Sequence, residues 1–164
     1  MFRFLQALCA VAWLMSQSVA VAQSATATTT FTVQITLQAS CIINSAGTLN
    51  FGTAGVLSAN VDATSTISVQ CTNTTPYTIS LNPGTGSGAT VAARLMTFSS
   101  TTVTYSLYRD ASRTLVWGQT IGTDTVAGTG NGSAQAYTVY GRVPAQTTPA
   151  PATYTDTITV TVTY

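Results

Sequence analysis

Few side chains in this sequence could act as acids, bases or nucleophiles. The sequence contains no histidine, glutamate or lysine, so its ionisable carboxylates are four aspartates: Asp62, Asp110, Asp124 and Asp156. Two of these could in principle meet in the folded chain as an acid–base dyad, but they lie too far apart to form a local motif. Nucleophiles activated by histidine are excluded because histidine is missing. We therefore predict that the protein is not an enzyme, needs no cofactor and has no metal site.

Two of the aspartates have local structural interpretations. Asp110 and Arg113 are close enough in sequence for a salt bridge that spans a turn. Asp156 lies just before the last alternating run, where its carboxylate can accept hydrogen bonds from nearby backbone amides. Both interpretations are structural rather than catalytic.

The first 22 residues have the features of a secretory signal peptide. Arg3 is followed by an uncharged apolar run, and small residues lead to Ala20-Val21-Ala22, which predicts cleavage before Gln23. A membrane anchor is the alternative, but the apolar run is shorter than the ~20 residues that a spanning helix needs. Without this leader, four arginines balance four aspartates and the formal net charge is zero. Such a chain lacks the basic surface that nucleic acid requires, so we predict no nucleic-acid partner.

Two cysteines follow the leader, Cys41 and Cys71. An even pair in an exported chain predicts a disulfide formed in an oxidising compartment. In the chain-entropy description, closing a loop of about 31 residues stabilises the fold by roughly 3.7 kcal/mol. Metal binding is the alternative, but it would need further ligands and no histidine is available.

Strand-like alternation of apolar and polar residues recurs along the chain, between clusters of Gly, Pro, Asn and Ser. The alternating segments are 31–37, 67–71, 77–81, 103–107, 137–140 and 158–164, with a return strand expected at 115–117. Residues 91–98 have the composition of a helical turn or two but lack capping residues and length. Short strands punctuated by turn residues predict an all-β sandwich of the immunoglobulin type.

The first and last alternating segments lack an obvious place in this sandwich. About seven strands close an immunoglobulin-like sandwich, whereas counting from Cys41 gives about six, so a groove would remain beside the last strand. The apolar residues of the last strand are Ile158, Val160, Val162 and Tyr164. Those of the first segment are Phe31, Val33, Ile35 and Leu37. The first segment either closes its own domain in cis or fills the groove of a neighbour by strand addition, and the residues alone leave both open.

Several short motifs follow one another along the chain. They are Leu49-Asn50-Phe51-Gly52, Ile67-Ser68-Val69-Gln70-Cys71, Arg94 with Met96, Tyr105-Ser106-Leu107-Tyr108-Arg109-Asp110, Trp117-Gly118, Tyr140-Gly141-Arg142-Val143-Pro144-Ala145 and the stretch 154–164. In order and spacing they resemble the spore coat protein U-like family, which includes the pilins of archaic chaperone–usher pili. One departure is that Ala152 and Thr153 stand where family members often carry a glycine.

The resemblance implies an incomplete immunoglobulin-like β-sandwich that a donor strand from a neighbouring subunit completes. It divides the chain into a signal peptide (1–22), a donor-strand extension (23–40) and a pilin domain (41–164). By this analogy the donor residues are Phe31, Val33, Ile35 and Leu37. The acceptor groove and the face presented to a chaperone would be lined by Ile158, Val160, Val162 and Tyr164, with basic residues of the chaperone holding the terminal carboxylate.

The implied function is that of a shaft-type subunit of a pilus, exported through the periplasm to the cell surface. Its expected partners are neighbouring pilin subunits, a periplasmic chaperone and an outer-membrane usher. An adhesive tip or binding domain is one alternative. A secreted coat or matrix protein that closes in cis is the other.

Overall fold

The computed structural model describes residues 22–164, of which residues 36–164 form one compact unit. This part of the chain contains eight strands and no helix. The strands are β1 (Cys41–Ala46), β2 (Val61–Cys71), β3 (Pro76–Leu81), β4 (Arg94–Phe98), β5 (Thr101–Tyr108), β6 (Val126–Thr129), β7 (Ala134–Val143) and β8 (Val160–Thr163). Residues 1–21, nearly all of the predicted signal peptide, lie outside the described residues, so the leader stays a prediction.

The strands form two sheets, in which every neighbouring pair is antiparallel. The larger sheet has the order β1-β2-β7-β5-β4 and the smaller has the order β6-β3-β8. Apolar residues of both sheets meet in one core. This arrangement confirms the predicted all-β, immunoglobulin-like sandwich.

The core follows from the two-residue period of the strands, since successive side chains of a strand point to opposite faces. In β2 the inward side chains include Ile67 and Val69, and in β3 they include Ile79 and Leu81, all buried. Between the sheets lies Trp117, whose indole N–H donates a 2.9 Å hydrogen bond to the carbonyl of Ile79. A buried indole needs such a partner, so this bond fixes the ring in the core.

A disulfide joins Cys41 to Cys71, as the sequence predicts. It marks one end of the sandwich, where β1 begins, β2 ends and β3 begins after the short connection 72–75. We call this the disulfide end. At the opposite end, β3 finishes and β8 begins, because Leu81 pairs with Val160. It follows that β1 runs away from the disulfide end, whereas β8 runs towards it.

Three strands were not expected from the sequence, namely β1, β4 and β6. The segment expected to form a helical turn contains β4, which pairs with β5. The expected return at 115–117 is present, but as a single antiparallel bridge between Val116 and Tyr108 with two flanking main-chain hydrogen bonds and not as a full strand. The predicted strands within 67–71, 77–81, 103–107 and 137–140 all lie inside observed strands.

The predicted ion pair between Asp110 and Arg113 is also wrong. The carboxylate of Asp110 accepts hydrogen bonds within its own turn, from Ser112 and from the amides of Leu115 and Thr114, and these bonds lower its pKa. Arg113 adopts a φ of 57°, and its guanidinium lies 3.4 Å from the carboxylate of Asp62. The partner of Arg113 is therefore distant in sequence, on β2.

Candidate functional site

The sandwich is open along one side, between β1 and β8. Each is the last strand of its sheet: within residues 22–164, β1 pairs only with β2 and β8 pairs only with β3. The outer edge of each strand therefore presents unpaired N–H and C=O groups. The two strands lie next to each other across the gap between the sheets.

A cavity of about 1020 Å³ lies where this gap opens away from the disulfide end, and of the two edge strands only Ala46 of β1 and Val160 of β8 line it. Its walls are the segments 46–57 and 148–158, and we call the cavity with these two walls the groove. Core side chains form its floor, among them Ile67, Leu81, Val103, Leu107 and Val139. Folded interiors contain few voids larger than a water molecule, so the groove is an unfilled part of the core.

The C-terminal wall contains the residues predicted to line the groove. Ile158 and Val160 do line it. Val162 packs against the core on the same face of the strand but is not part of the lining. Tyr164 lies outside, with 60% of its surface exposed. The structure thus brings two of the four predicted residues to the groove, and their role in binding a strand stays a prediction.

Asp156 fixes the C-terminal wall to the rest of the sandwich. Its Oδ1 accepts hydrogen bonds from the amide (2.8 Å) and hydroxyl (2.9 Å) of Thr85 and from the amide of Thr157 (2.7 Å). Its Oδ2 accepts a 2.7 Å hydrogen bond from the hydroxyl of Tyr105. Burial and this bond raise the pKa of Tyr105. The expected bonding of Asp156 to nearby amides is confirmed, and it extends across the fold to Thr85.

Two further features shape this wall. Gly84 has a φ of 92°, and a Cβ placed there would lie 2.0 Å from Oδ2 of Asp156, so only glycine lets the carboxylate approach. The main chains of Thr97 and Thr155 exchange hydrogen bonds of 2.8 and 3.2 Å, which join the wall to β4. The wall is therefore held in place before any partner binds.

The opposite wall continues from the end of β1. Leu49 and Phe51 alternate with exposed neighbours and pack against β7, where a Cβ on Gly141 would lie 2.8 Å from Leu49 and 2.9 Å from Phe51. Across the described chain, the amides of residues 48–51 find no main-chain acceptor. This wall was not predicted as part of the site, although the alternation in Leu49-Asn50-Phe51 is the signal that identifies it.

Arg94 supports the floor of the groove and is fully buried. Its guanidinium donates to the carbonyls of Asn82 (3.0 Å), Val91 (2.7 Å), Leu81 (3.2 Å) and Trp117 (2.8 Å). Burial lowers the pKa of Arg94. A buried cation is tolerated only when its donors are satisfied, and here they fix the end of β3 where Leu81 lines the groove. The sequence singled out Arg94 only as part of a motif.

The predicted donor residues lie in a segment without regular secondary structure, which extends from residue 22 to residue 40. Phe31, Val33, Ile35 and Leu37 expose 86%, 83%, 81% and 80% of their surfaces. Single exposed apolar residues are common, but a row of four at strand spacing is typical of an interaction site. Their donor role stays a prediction.

Metal-ligand clusters and membrane-spanning helices are two further features that bear on function. Within the described residues, no three side chains of His, Cys, Asp or Glu cluster closely enough to hold a metal ion. The same part of the chain has no helix long and apolar enough to cross a membrane. An apolar floor flanked by residues 48–51, whose amides have no main-chain acceptor, and by the start of β8 is the geometry that accepts an extended segment.

Comparison with known proteins gives a consistent result. The model of the Spore Coat Protein U domain matches residues 27–161. Protein U of Myxococcus xanthus is 35% identical over 158 residues, which cover 87% of this chain and 88% of that protein.

Among solved structures, this chain is similar to the CsuC-CsuE chaperone–tip adhesion subunit pre-assembly complex from the archaic chaperone–usher Csu pili of Acinetobacter baumannii. The TM-score is 0.56 at 28% identity, and the match covers 79% of this chain but only 40% of that chain. The sandwich therefore has the fold of a chaperone–usher pilin. Proteins of the matched family and fold are structural, which confirms the prediction that this protein is not an enzyme. The chain belongs to the Spore Coat Protein U domain family.

Proposed function

We propose that the protein is a structural subunit of a surface pilus, in which the groove takes up residues 31–37 of a neighbouring copy as an additional strand. One observation carries this proposal. The chain combines an unfilled core of about 1020 Å³ with four exposed apolar side chains at strand spacing. The exposed apolar side chains of one copy can fill the core of another copy.

The shapes of the two parts support this pairing. An inserted strand would hydrogen-bond to the free edge of β8 on one side and to residues 48–51 on the other. Its alternate side chains, from Phe31 to Leu37, would then point into the groove and its threonines and glutamine would point to solvent. Main-chain bonds would supply pairing, and the apolar floor would supply specificity.

The free energy of this pairing is comparable with the stability of a domain. Burying four large apolar side chains contributes ~1.5–3 kcal/mol each, or roughly 6–12 kcal/mol as an upper bound. A typical domain has a net stability of ~5–15 kcal/mol. An empty groove would therefore leave the subunit much less stable than a filled one.

Repetition of the contact produces a fibre. Each copy carries one groove and one donor segment, so the contact joins two different surfaces. A head-to-tail contact of this type extends without limit unless it closes into a ring.

The family and the fold support a chaperone and an usher as partners. The similar solved structure is a complex with a chaperone. We propose that a periplasmic chaperone occupies the groove of this chain and shields its free edges, and that an outer-membrane usher exchanges it for the donor segment. The disulfide fits this route, since the periplasm is oxidising. The fibre would be displayed on the cell surface.

Assembly without a chaperone tests the proposal. The full chain, exported with its own leader and purified from the periplasm, should form fibres visible by electron microscopy and light scattering. A chain that lacks residues 23–38 should bind a chaperone but form no fibres. Fibres that grow equally well from the deleted chain would refute the donor role.

A further inference from the structure

We infer that a three-residue tether prevents each chain from filling its own groove in the polarity that the sandwich requires. The tether consists of Gln38, Ala39 and Ser40, between the last donor residue and the first residue of β1. This inference rests on the proposed function and identifies the occupant of the groove as a segment of a second copy.

The polarity of the missing strand follows from the direction of β8. In an immunoglobulin-like sandwich, the strand beyond the last one lies antiparallel to it. Because β8 runs towards the disulfide end, an inserted strand of this polarity runs away from that end. Phe31 would then lie at the side of the groove nearer the disulfide end and Leu37 at the side farther from it.

The tether is too short to return from that position. Cys41 is held at the disulfide end by its bond to Cys71 and by its pairing with the same residue. From Leu37 to Cys41 the chain takes four Cα steps, which span at most about 14 Å when fully extended. A seven-residue strand is about 20 Å long, and two parallel strands need a crossover of roughly a dozen residues or more. A chain therefore cannot place its own donor segment in its groove in this polarity.

The donor segment of the same chain could enter the groove only in the reverse polarity, as a tight hairpin with β1. The shape of β1 opposes this hairpin. β1 contains a bulge, so that Ile43 pairs with buried Val69 but Ser45 pairs with Ser68 and Ala46 with buried Ile67. The inward positions of β1 are therefore two residues apart before the bulge and three residues apart after it. A hairpin partner in register with β1 would place Leu37 opposite Cys41 and Ile35 opposite Ile43. Beyond the bulge, however, Thr32 and not Val33 would lie opposite the inward position Ala46. Beyond the bulge the donor segment is therefore shifted by one residue, which reverses its faces. Val33 and Phe31, half of the apolar row, would point to solvent.

A longer tether tests the inference directly. We would insert about 15 Gly and Ser residues between Ser40 and Cys41, which is enough for a crossover. The matched control carries the same insert between Ala27 and Thr28, ahead of the donor segment, and keeps the natural tether. Both chains and the unmodified chain would be exported with the natural leader and purified without a chaperone.

The long-tether chain should be a monomer by light scattering. Its midpoint of thermal unfolding should lie at least about 10 °C above that of the same chain with Ile35→Asp. The control and the unmodified chain should form fibres.

Other outcomes separate the inference from the proposed function. If the long-tether chain forms fibres or is recovered unfolded, the inference is overturned. The inference is also overturned if the unmodified chain is a stable monomer and Ile35→Asp destabilises it. The donor segment would then still bind the groove, but within one chain. If Ile35→Asp changes neither the melting of the long-tether chain nor the assembly of the unmodified chain, the donor does not use the groove and both proposals fail.

Discussion

The hydroxyl of Tyr105 donates a 2.7 Å hydrogen bond to Oδ2 of Asp156, and both residues line the groove. Tyr105 belongs to the larger sheet, whereas Asp156 precedes the last strand of the smaller sheet. This bond therefore joins the two sheets at the side where the sandwich is open. With the amide and hydroxyl of Thr85 bound to the other carboxylate oxygen, it holds the C-terminal wall in a fixed position.

The first prediction concerns this carboxylate. Asp156→Asn replaces one acceptor by an NH₂ group that faces donors, so we expect a loss of about 1–3 kcal/mol in the free energy of unfolding. Urea unfolding of the chaperone-free chain measures it. Asp62→Asn is the matched control, because Asp62 bonds Arg142 at the surface and its loss should cost about 1 kcal/mol or less. Equal losses in the two variants would show that Asp156 does not anchor the wall.

The second prediction concerns the two faces of the donor segment. Ile35→Asp should abolish fibre formation, because it would place a charge on the apolar floor of the neighbour's groove. Thr36→Asp places the same charge on the opposite face and should assemble nearly as well as the natural chain. Electron microscopy and sedimentation of the assembled fraction measure both. If the two variants assemble alike, the alternation of the segment has no role in binding.

The third prediction concerns the disulfide. Replacing Cys41 and Cys71 together by serine should lower the free energy of unfolding by roughly 3 kcal/mol, since the unfolded chain regains the entropy of an open loop. Thermal unfolding and the yield from the periplasm report the loss, and the natural chain treated with reductant should match the double variant. Unchanged melting of the variant would show that the bridge adds no stability.

The fourth prediction concerns acid. The hydrogen bond from Arg142 and the nearby charge of Arg113 hold the pKa of Asp62 below its ordinary value of 3.8. Because the folded-state pKa is the lower one, the stabilisation is present above this ordinary value, which is that of the unfolded state, and is lost as the pH falls through the folded-state value. We expect Asp62→Asn to flatten the fall in unfolding free energy below about pH 4, by about 1 kcal/mol or less. A parallel fall in both proteins would contradict this.

Much of the fold was predictable because it follows a regular period. Alternation alone identified the inward faces of β2 and β3 and that of the terminal segment, where Ile158 and Val160 do line the groove. The disulfide was predictable because an even number of cysteines follows the leader. Each of these inferences needed only residues close in sequence or a simple count.

The rest depends on partners that are distant in sequence. Arg94 begins β4 fully buried, which its type does not suggest, because four carbonyls from three separate segments surround its guanidinium. Asp62 pairs with Arg142 because the register of β2 and β7 places them opposite each other. β6 contains Gly128, although glycine is unfavourable in strands. Only glycine leaves room for the ring of Tyr77, because a Cβ at this position would lie 2.7 Å from that ring. Tertiary pairing decided each of these cases.

The most direct measurement is hydrogen–deuterium exchange on a chain that lacks residues 23–38, with and without a synthetic peptide of residues 28–40. If the peptide fills the groove, deuterium uptake should fall at residues 48–51 of one wall and along β8, which continues the other wall, because the free N–H groups there gain partners. A peptide with Ile35→Asp is the matched control and should protect neither wall. Unchanged uptake in both walls with the natural peptide, or protection confined to another surface, would contradict strand insertion.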